Sequence, residues 1–508
     1  MTRQTVPDRA LVELGRTEAG PGTLAFLTRD QDTRRLLLLR AVLDAADAAD
    51  PALCPPELKT RLKEDWALLA AADRPPGPAA RTRAYACAGP GHGPAPHPPP
   101  PGSPYLSPPG AALSPARALL FHPLTGPLAL SCLRGLDDRG GPPDERGRRG
   151  LRQDLAHFSA MAAAAAARAG IPFTVRLTAR AGLLALPSLG ALHTAASGDA
   201  PVDVTHAQGR LTLSQADAPD VVVQLESGVG AWAGAPAWTP LHALPGLPPA
   251  GAPMPLEDLD PYRAPPGPRH PSFGGPATLD DAERKRWLQA WSGTATALRT
   301  GGERRVAQAV ALLRCLVPLE RPPGAGPDGR DSCSATRHEA FGALLASTPQ
   351  DAPALAETLV HELHHAQLAS LTSLVTLHHA TAEPRYFAPW KTDPRPYDAL
   401  LQGAYAHLAV AHYFQQRALN ASAADREYAW SRHARYRAQV GAALPALVGS
   451  PDLTGRGRRF VDEMAATFER MAEHPAPRAH TARAQAYVKA ARALWTQRHA
   501  PALPRPKE

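Results

Sequence analysis

Residues 74–115 divide the chain, because their composition keeps them out of any hydrophobic core. Most of this stretch reads PPGPAARTRAYACAGPGHGPAPHPPPPGSPYLSPPG, and the whole chain holds 57 prolines among 508 residues. That share is about twice the usual proline content of proteins, which is roughly 5%. Such a segment buries too little apolar surface to offset the entropy lost on ordering. We therefore predict a flexible or polyproline linker at 74–115, with folded regions on either side.

The flanking regions differ in their predicted secondary structure. Residues 1–73 are rich in strong helix formers, as in LLLLRAVLDAADAA, and prolines follow this run. Residues 116–275 combine an Ala-rich helix at Asp154–Gly170 with short β-type runs, FTVRL, RLTL and VVVQL. Residues 276–508 return to helical patterns, including GERRVAQAVALLRCLVPL at Gly302–Leu319. The expected fold is mainly α, with a smaller α+β middle region and a C-terminal helical domain.

The net charge of +8 raises the question of a nucleic-acid partner. The charged residues are scattered, and aromatic residues make up only 6% of the chain. Nucleic-acid-binding surfaces instead concentrate basic residues on one face, often interleaved with aromatic side chains. A solvated, arginine-rich surface therefore accounts for the charge better, and no nucleic-acid partner is expected.

The sequence also predicts the cellular compartment of the protein. The N-terminal MTRQTVPDRA lacks the apolar stretch of a secretory signal. The Ala run after Met161 is broken by Arg168 and is too short to cross a bilayer. The five cysteines are widely spaced without a CxxC pair, which indicates neither a disulfide framework nor a zinc ribbon. These features predict a cytoplasmic protein without a membrane partner, and they leave its oligomeric state open.

One short stretch contains candidate metal ligands. It reads LVHELHHAQLASL, at Leu359–Leu371, and includes the motif HExxH. Leucines recur around it at helical spacing, so His361 and His365, four residues apart, project from the same side of a helix and can bind one metal ion. Glu362 follows the first histidine and can reach a metal-bound water or support a ligand from behind. His364 projects elsewhere and is not expected to ligate. The alternative is a pair of buried histidines with ordinary hydrogen-bond partners.

Two ligands leave a metal site incomplete, so a third is expected further along the chain. The segment YDALLQGAYAHLAVAHYFQQ, at Tyr397–Gln416, predicts another helix, and His407 lies on its apolar face. We expect His407 to face the HExxH helix as the third ligand. The alternatives are His412, Glu383 in the manner of zinc peptidases, His378 and His379.

Between these helices lies FAPWKTDPRPYDALLQG, at Phe387–Gly403, which adds two cations. Arg395 presents a planar fork that can grip a carboxylate at two points, and Lys391 offers a single positive charge. Both are candidates for binding an anionic co-substrate. The alternative for Arg395 is an ion pair with Asp393 or Asp398 that only shapes the loop.

Three segments together resemble a known family: RHEAFGALLAS, LAETLVHELHHAQLASL and APWKTDPRPYDALLQGAYAHLAVAHYF. They are similar to the HExxH-type peptide-modification proteins, which are encoded near ribosomally synthesised peptides that mature after translation. Members are regarded as iron(II)- and 2-oxoglutarate-dependent peptide β-hydroxylases. The resemblance is strongest over 335–415. The family pattern HExQH has glutamine where this chain has His364, and the linker at 74–115 is atypical.

The resemblance implies a set of roles. His361, His365 and His407 match the family's histidines and would hold Fe(II), with 2-oxoglutarate and O2 as co-substrates. Glu362 would support the site, and Arg395 would bind the distal carboxylate of 2-oxoglutarate. The partner would be a precursor peptide, hydroxylated at a Cβ–H with release of succinate and CO2.

Two other functions remain open from the residues alone. In a zinc metallopeptidase, Glu362 would activate a zinc-bound water for hydrolysis. The chain continues AQLASL after His365, without the glycine of HExxHxxGxxH, which counts against one large peptidase class. The second alternative is a non-catalytic peptide-binding protein.

Overall fold

A computed structural model describes residues 5–73, 113–137, 144–226, 230–248, 251–264, 274–322 and 332–499. The predicted linker therefore lies outside the described residues, apart from its last three positions. The chain forms two compact units: Met1–Thr33, Leu244–Asp258 and Ala264–Glu508 make up the first, and Arg34–Ala243 and Leu259–Arg263 the second. The mainly α fold with a smaller share of sheet is confirmed. The four predicted region boundaries stay predictions.

The helices of the described residues are α1 (Asp8–Gly15), α2 (Pro21–Ala48), α3 (Pro56–Ala72), α4 (Pro115–Leu120), α5 (Thr125–Leu136), α6 (Glu145–Arg168), α7 (Asp281–Thr300), α8 (Glu303–Leu312), α9 (Ala352–Leu374), α10 (Tyr397–Asn420), α11 (Ala423–Val448), α12 (Gly455–Arg470) and α13 (Arg478–His499). Among them, none combines the length and apolarity needed to span a bilayer.

The strands are β1 (Phe173–Ala179), β2 (Leu183–Leu186), β3 (Gly190–His193), β4 (Ala200–Ala207), β5 (Arg210–Ser214), β6 (Val221–Leu225), β7 (Ala231–Trp232), β8 (Trp238–Pro240), β9 (His242–Leu244), β10 (Met254–Leu256), β11 (Cys315–Leu319), β12 (Ser334–Ala335) and β13 (Ala343–Ser347). In the second unit the strand orders are β1-β4-β5-β6-β7 and β2-β3-β8, and in the first unit β12-β13-β11-β10 lie side by side.

The second unit combines helix α6 with antiparallel sheet. The predicted runs FTVRL, RLTL and VVVQL lie in β1, β5 and β6, as expected. Helix α6 begins after Asp144, whose carboxylate accepts a hydrogen bond from the Gly147 amide at 2.7 Å. The chain leaves this helix through Gly170, whose φ of +74° is a conformation that favours glycine. The predicted Ala-rich helix is thus confirmed as the second half of α6.

A parallel strand pair in the first unit corrects one prediction. The helix predicted over Gly302–Leu319 ends at Leu312, and Cys315–Leu319 forms β11 instead. Strand β11 pairs in parallel with β13, from Cys315 opposite Ala343 to Leu319 opposite Ser347. All residues of both strands are buried. A continuous apolar run containing Pro318 suits a strand covered on both faces, whereas the proline would break a helix.

Helix α10 lies at the centre of the helical part of the first unit. Nearly every side is buried, which is the pattern of a helix surrounded by other elements. Its tyrosines reach polar partners in this core: the Tyr405 hydroxyl donates to the Leu14 carbonyl at 2.8 Å, and the Tyr413 hydroxyl to the Ala297 carbonyl at 2.9 Å. Helices α9 and α11 both pack against α10. This packing brings distant parts of the sequence to one place.

Candidate metal centre

Helix α9 carries the HExxH motif, and Asp351 caps its start. The Asp351 carboxylate accepts from the Ala354 amide at 2.8 Å, and Pro353 lies in the first turn, where an amide has no helical partner. Ten residues further along, His361 and His365 project from the same side. Their Nε2 atoms are 3.1 Å apart, and their ring centroids 4.7 Å.

The Nε2 atoms of this pair face each other. The Nδ1–H of His365 donates to Oε1 of Gln402 at 3.4 Å, which directs Nε2 of that ring towards His361. Burial, together with the nearby His365, lowers the pKa of His361 to about 4, while Glu362 opposes the shift. His361 is therefore neutral near pH 7. Two Nε2 atoms 3.1 Å apart either share one proton or bind one cation.

His407 places a third imidazole beside this pair. Its ring centroid lies 5.4 Å from that of His361, and its side chain is 7% exposed. Its Nδ1 is buried and has no hydrogen-bond partner in the described part of the chain. Burial holds the pKa of His407 well below its usual range, and the charges of His361 and His365 act in the same direction. A buried ring nitrogen without a partner is unfavourable, and a metal ion would satisfy it.

The three rings nevertheless do not form a complete ligand set. Among the described residues, no group of three or more His, Cys, Asp or Glu side chains is arranged to hold a metal ion. The three-histidine ligand set therefore stays a prediction.

The alternative ligands have other surroundings. His412 places Nδ1 at 3.5 Å from the guanidinium of Arg305, and His378 places Nε2 at 3.5 Å from a carboxylate oxygen of Asp398. Glu383 and His379 are exposed.

The carboxylate of Glu362 links α9 to the sheet. It is 4% exposed, and its two oxygens accept hydrogen bonds from the Ser334 hydroxyl at 2.7 Å and the Thr336 hydroxyl at 2.6 Å. Ser334 begins β12 and Thr336 follows it directly. Glu362 thus anchors the helix, and both of its oxygens are engaged there.

His364, the extra histidine of the motif, belongs to a different contact. Its Nδ1–H donates to the Val360 carbonyl at 2.6 Å, so Nε2 accepts from the Arg305 guanidinium at 3.0 Å. Arg305 is buried, and burial lowers its pKa to about 10. The same guanidinium donates to the Thr17 carbonyl at 2.9 Å. His364 therefore ties α9 to α8 and to the turn after α1.

Sequence reasoning missed a second group of side chains next to the histidines. Glu357 lies one turn before His361, accepts from the Tyr436 hydroxyl at 2.6 Å and forms an ion pair with Arg432. Arg432 also donates to the Tyr436 hydroxyl at 3.1 Å. The ring of Tyr436 packs edge-on against His407, with centroids 5.0 Å apart. The repeat of four between positions 357, 361 and 365 could have indicated Glu357, whereas no motif marks the α11 residues.

The loop before α10 covers His407. The ring of Trp390 lies 4.5 Å from that of His407, centroid to centroid, and is nearly perpendicular to it. A Cβ atom added at Gly403 would lie 2.6 Å from Trp390, so glycine is needed for this close approach. Trp390 therefore packs on a candidate ligand.

The two predicted cations lie in the same loop. Arg395 pairs its backbone with Tyr386, through two amide–carbonyl hydrogen bonds of 2.9 Å. Within the described ranges, its guanidinium has no side-chain hydrogen bond or ion pair, so the alternative contact with Asp393 or Asp398 is not formed there. Lys391 is exposed. Arg432 and Arg435 are the arginines whose charges act on His407.

Gln402 gives a prediction about metal affinity. Because its amide oxygen orients His365, we expect Gln402→Leu to weaken metal binding by about 10- to 100-fold. Anaerobic titration with Co(II), followed by its visible absorption, measures the affinity. The matched control is Gln416→Leu, a partly buried glutamine of the same helix. Equal affinity in the Gln402 variant and the wild type would show that this hydrogen bond does not position the ligand.

Buried histidines of the first unit give a prediction about pH. Burial lowers the pKa of His412 to about 3 and that of His433 to about 4. The unfolded chain binds these protons near pH 6.5, so stability is complete above that pH and declines as the pH falls towards 4. Each histidine contributes a slope of about 1.4 kcal/mol per pH unit.

Urea unfolding with a chelator at pH 7.5 and 5.5 measures this slope without bound metal. A His433→Leu variant should show a shallower slope than the wild type. A free energy of unfolding that stays constant, or rises, between pH 7.5 and 5.5 would contradict the assignment.

Two comparisons with known proteins identify no relative of this chain. No protein-family model matches the chain, and a search of curated proteins also finds no match.

Proposed function

We propose that the chain is an iron(II)- and 2-oxoglutarate-dependent enzyme that β-hydroxylates a residue of a ribosomally synthesised peptide. The observation that carries the proposal is the meeting of three imidazoles: the Nε2 atoms of His361 and His365 are 3.1 Å apart, and His407 lies beside them with an unpartnered Nδ1. The resemblance of residues 335–415 to peptide β-hydroxylases supplies the reaction class.

In this proposal the chain's own residues have defined tasks. His361, His365 and His407 would hold the metal, which when bound supplies the oxidising chemistry for C–H hydroxylation with 2-oxoglutarate and O2. Gln402 keeps the Nδ1 proton on His365, so that Nε2 remains a ligand atom. Tyr436 and Trp390 pack against the His407 ring and restrict its orientation.

The distal carboxylate of 2-oxoglutarate needs a cation. Arg395 is the candidate because its guanidinium makes no described side-chain ion pair and can therefore bind a carboxylate without first breaking one. Lys391 is the second candidate from the same loop. Arg432 is less suited because Glu357 already neutralises it.

A zinc peptidase would need Glu362 as its hydrolytic base. A hydrolytic base needs a carboxylate oxygen that reaches the metal-bound water. Here both oxygens accept hydroxyl hydrogen bonds, and the side chain is 4% exposed. This arrangement favours the anchoring role of Glu362 and hence hydroxylation over hydrolysis.

The test uses protein purified anaerobically and loaded with Fe(II). Succinate release from 2-oxoglutarate is measured with and without the peptide encoded beside the gene, together with the peptide's mass. Peptide-dependent succinate and a gain of about 16 Da are expected, since the reaction inserts one oxygen atom. His407→Ala should lose the activity, and His379→Ala, which changes an exposed histidine, should keep it. Zinc-dependent peptide fragments without succinate would overturn the proposal.

A further inference from the structure

The second unit contains a cavity that the proposed reaction does not use. It lies between α6 and the turn that joins β1 to β2, and it has an outer part of about 410 Å³. An inner recess of about 70 Å³ lies next to it. The two parts share Gln153, Ala156, Thr178 and Arg180 in their walls, so they adjoin each other.

The outer part carries excess positive charge. Arg149, Arg152 and Arg180 line it, together with a single carboxylate among its described lining residues, Asp199. Asp199 accepts hydrogen bonds from Arg149 at 2.9 Å and from Gln153 at 2.7 Å, so it neutralises the first arginine. Arg152 binds Glu145 at 2.8 Å. Arg152 is therefore also neutralised, and Arg180, whose paired carboxylate oxygen is 4.0 Å away, is the arginine of the lining that is least engaged.

Arg180 is the cation best placed for a ligand, since it lines both parts. The nearest carboxylate oxygen in its described ion pairs belongs to Asp154, at 4.0 Å. That oxygen already accepts the Tyr262 hydroxyl at 2.7 Å, so it is only weakly available to the arginine. The backbone of Arg180 is held by two hydrogen bonds to Leu183, of 2.9 and 3.1 Å, across a tight turn. These two hydrogen bonds fix the backbone that carries the Arg180 side chain.

The inner recess has a mixed surface. Leu183, Leu184 and Pro261 provide apolar wall, while His157 and Tyr262 provide ring edges. The two rings pack at 4.9 Å between centroids, and His157 lies 4.0 Å from Asp260. A ligand that fits both parts has an anionic group for the outer part and a small apolar group for the recess.

We propose that this cavity binds an acidic peptide segment, with a glutamate or aspartate carboxylate on Arg180 and a neighbouring apolar side chain in the recess. A carboxylate matches the planar guanidinium fork. A nucleic acid fits less well, because its backbone repeats the charge and needs several available cations, whereas Arg149 and Arg152 are already paired with Asp199 and Glu145. The lining residues belong to the second unit and the histidine cluster to the first, so the test needs neither metal nor turnover.

The experiment measures fluorescence anisotropy of a fluorescein-labelled peptide, GEELEG, with the full-length protein in about 0.15 M salt, which screens non-specific attraction. The glutamine analogue GQQLQG is expected to bind at least about tenfold more weakly. Arg180→Gln should raise the Kd for GEELEG by about tenfold or more, as loss of a charge-assisted pair does. Arg146→Gln is the control, because Arg146 is an exposed arginine of α6, the helix that forms one wall, and does not line the cavity.

Several results would overturn the proposal. These are the absence of GEELEG binding at millimolar peptide, equal binding of GQQLQG, or equal Kd values for the Arg180 and Arg146 variants. Displacement of GEELEG by inorganic phosphate at lower concentration than by glutarate would assign the site to phosphate groups instead. Circular dichroism checks that Arg180→Gln is folded, which its exposed side chain leads us to expect.

Discussion

Replacing His361 by alanine is expected to remove specific metal binding, with an affinity loss of more than about 100-fold. His361 is the middle ring of the three: its Nε2 lies 3.1 Å from that of His365, and its ring centroid 5.4 Å from that of His407. Without it, the two remaining rings have no described contact with each other. Anaerobic titration of Fe(II) or Co(II) into the variant measures the loss.

The control for this variant is His379→Ala, which removes an exposed histidine from the segment after α9 and should bind metal as the wild type does. Urea unfolding of both apo proteins separates metal loss from a folding defect. A His361→Ala protein that keeps stoichiometric, tight metal would contradict the assignment of His361 as a ligand.

Gly403→Ala is expected to lower both stability and metal affinity. The added Cβ would lie 2.6 Å from the indole ring of Trp390, a contact too short to survive without movement. Overpacking of this kind costs about 1–3 kcal/mol of unfolding free energy. A displaced Trp390 also withdraws its ring from His407, now 4.5 Å away between centroids. We therefore expect weaker metal binding in addition to the loss of stability.

A double variant tests whether the contact between the added Cβ and Trp390 causes the loss of stability. Gly403→Ala in a Trp390→Ala background should cost much less stability than in the wild type, because the ring that meets the new Cβ is gone. Gly150→Ala is the matched control, since a Cβ there meets nothing within 4 Å. A Gly403→Ala protein as stable as the wild type would show that Trp390 moves freely and does not fix His407.

Local patterns predicted the elements that hold the histidines. The leucine spacing around HExxH predicted α9, and the structure confirms this helix, with Asp351 as its capping residue. The strand β11 was missed because its apolar run directly follows a helix and resembles a continuation of it. Only the pairing with β13, a long-range contact, identifies the run as a strand.

The surroundings of the histidines depend on packing and were out of reach of the sequence. Glu362 was expected near the metal, yet its hydrogen-bond partners Ser334 and Thr336 lie 28 and 26 residues earlier in the chain. Tyr436 lies 79 residues after Glu357. The two residues meet because their helices, α11 and α9, both pack against α10. Neither contact follows from spacing along one helix, because both depend on how neighbouring elements pack.

We propose that three imidazoles of this chain hold one iron ion. X-ray absorption of the Fe(II)-loaded protein, prepared anaerobically, counts the imidazole ligands through their outer-shell scattering. We expect three imidazoles in the wild type and two in His407→Ala, with His379→Ala unchanged. A wild-type spectrum with two imidazoles, unaltered by the loss of His407, would contradict the three-histidine centre.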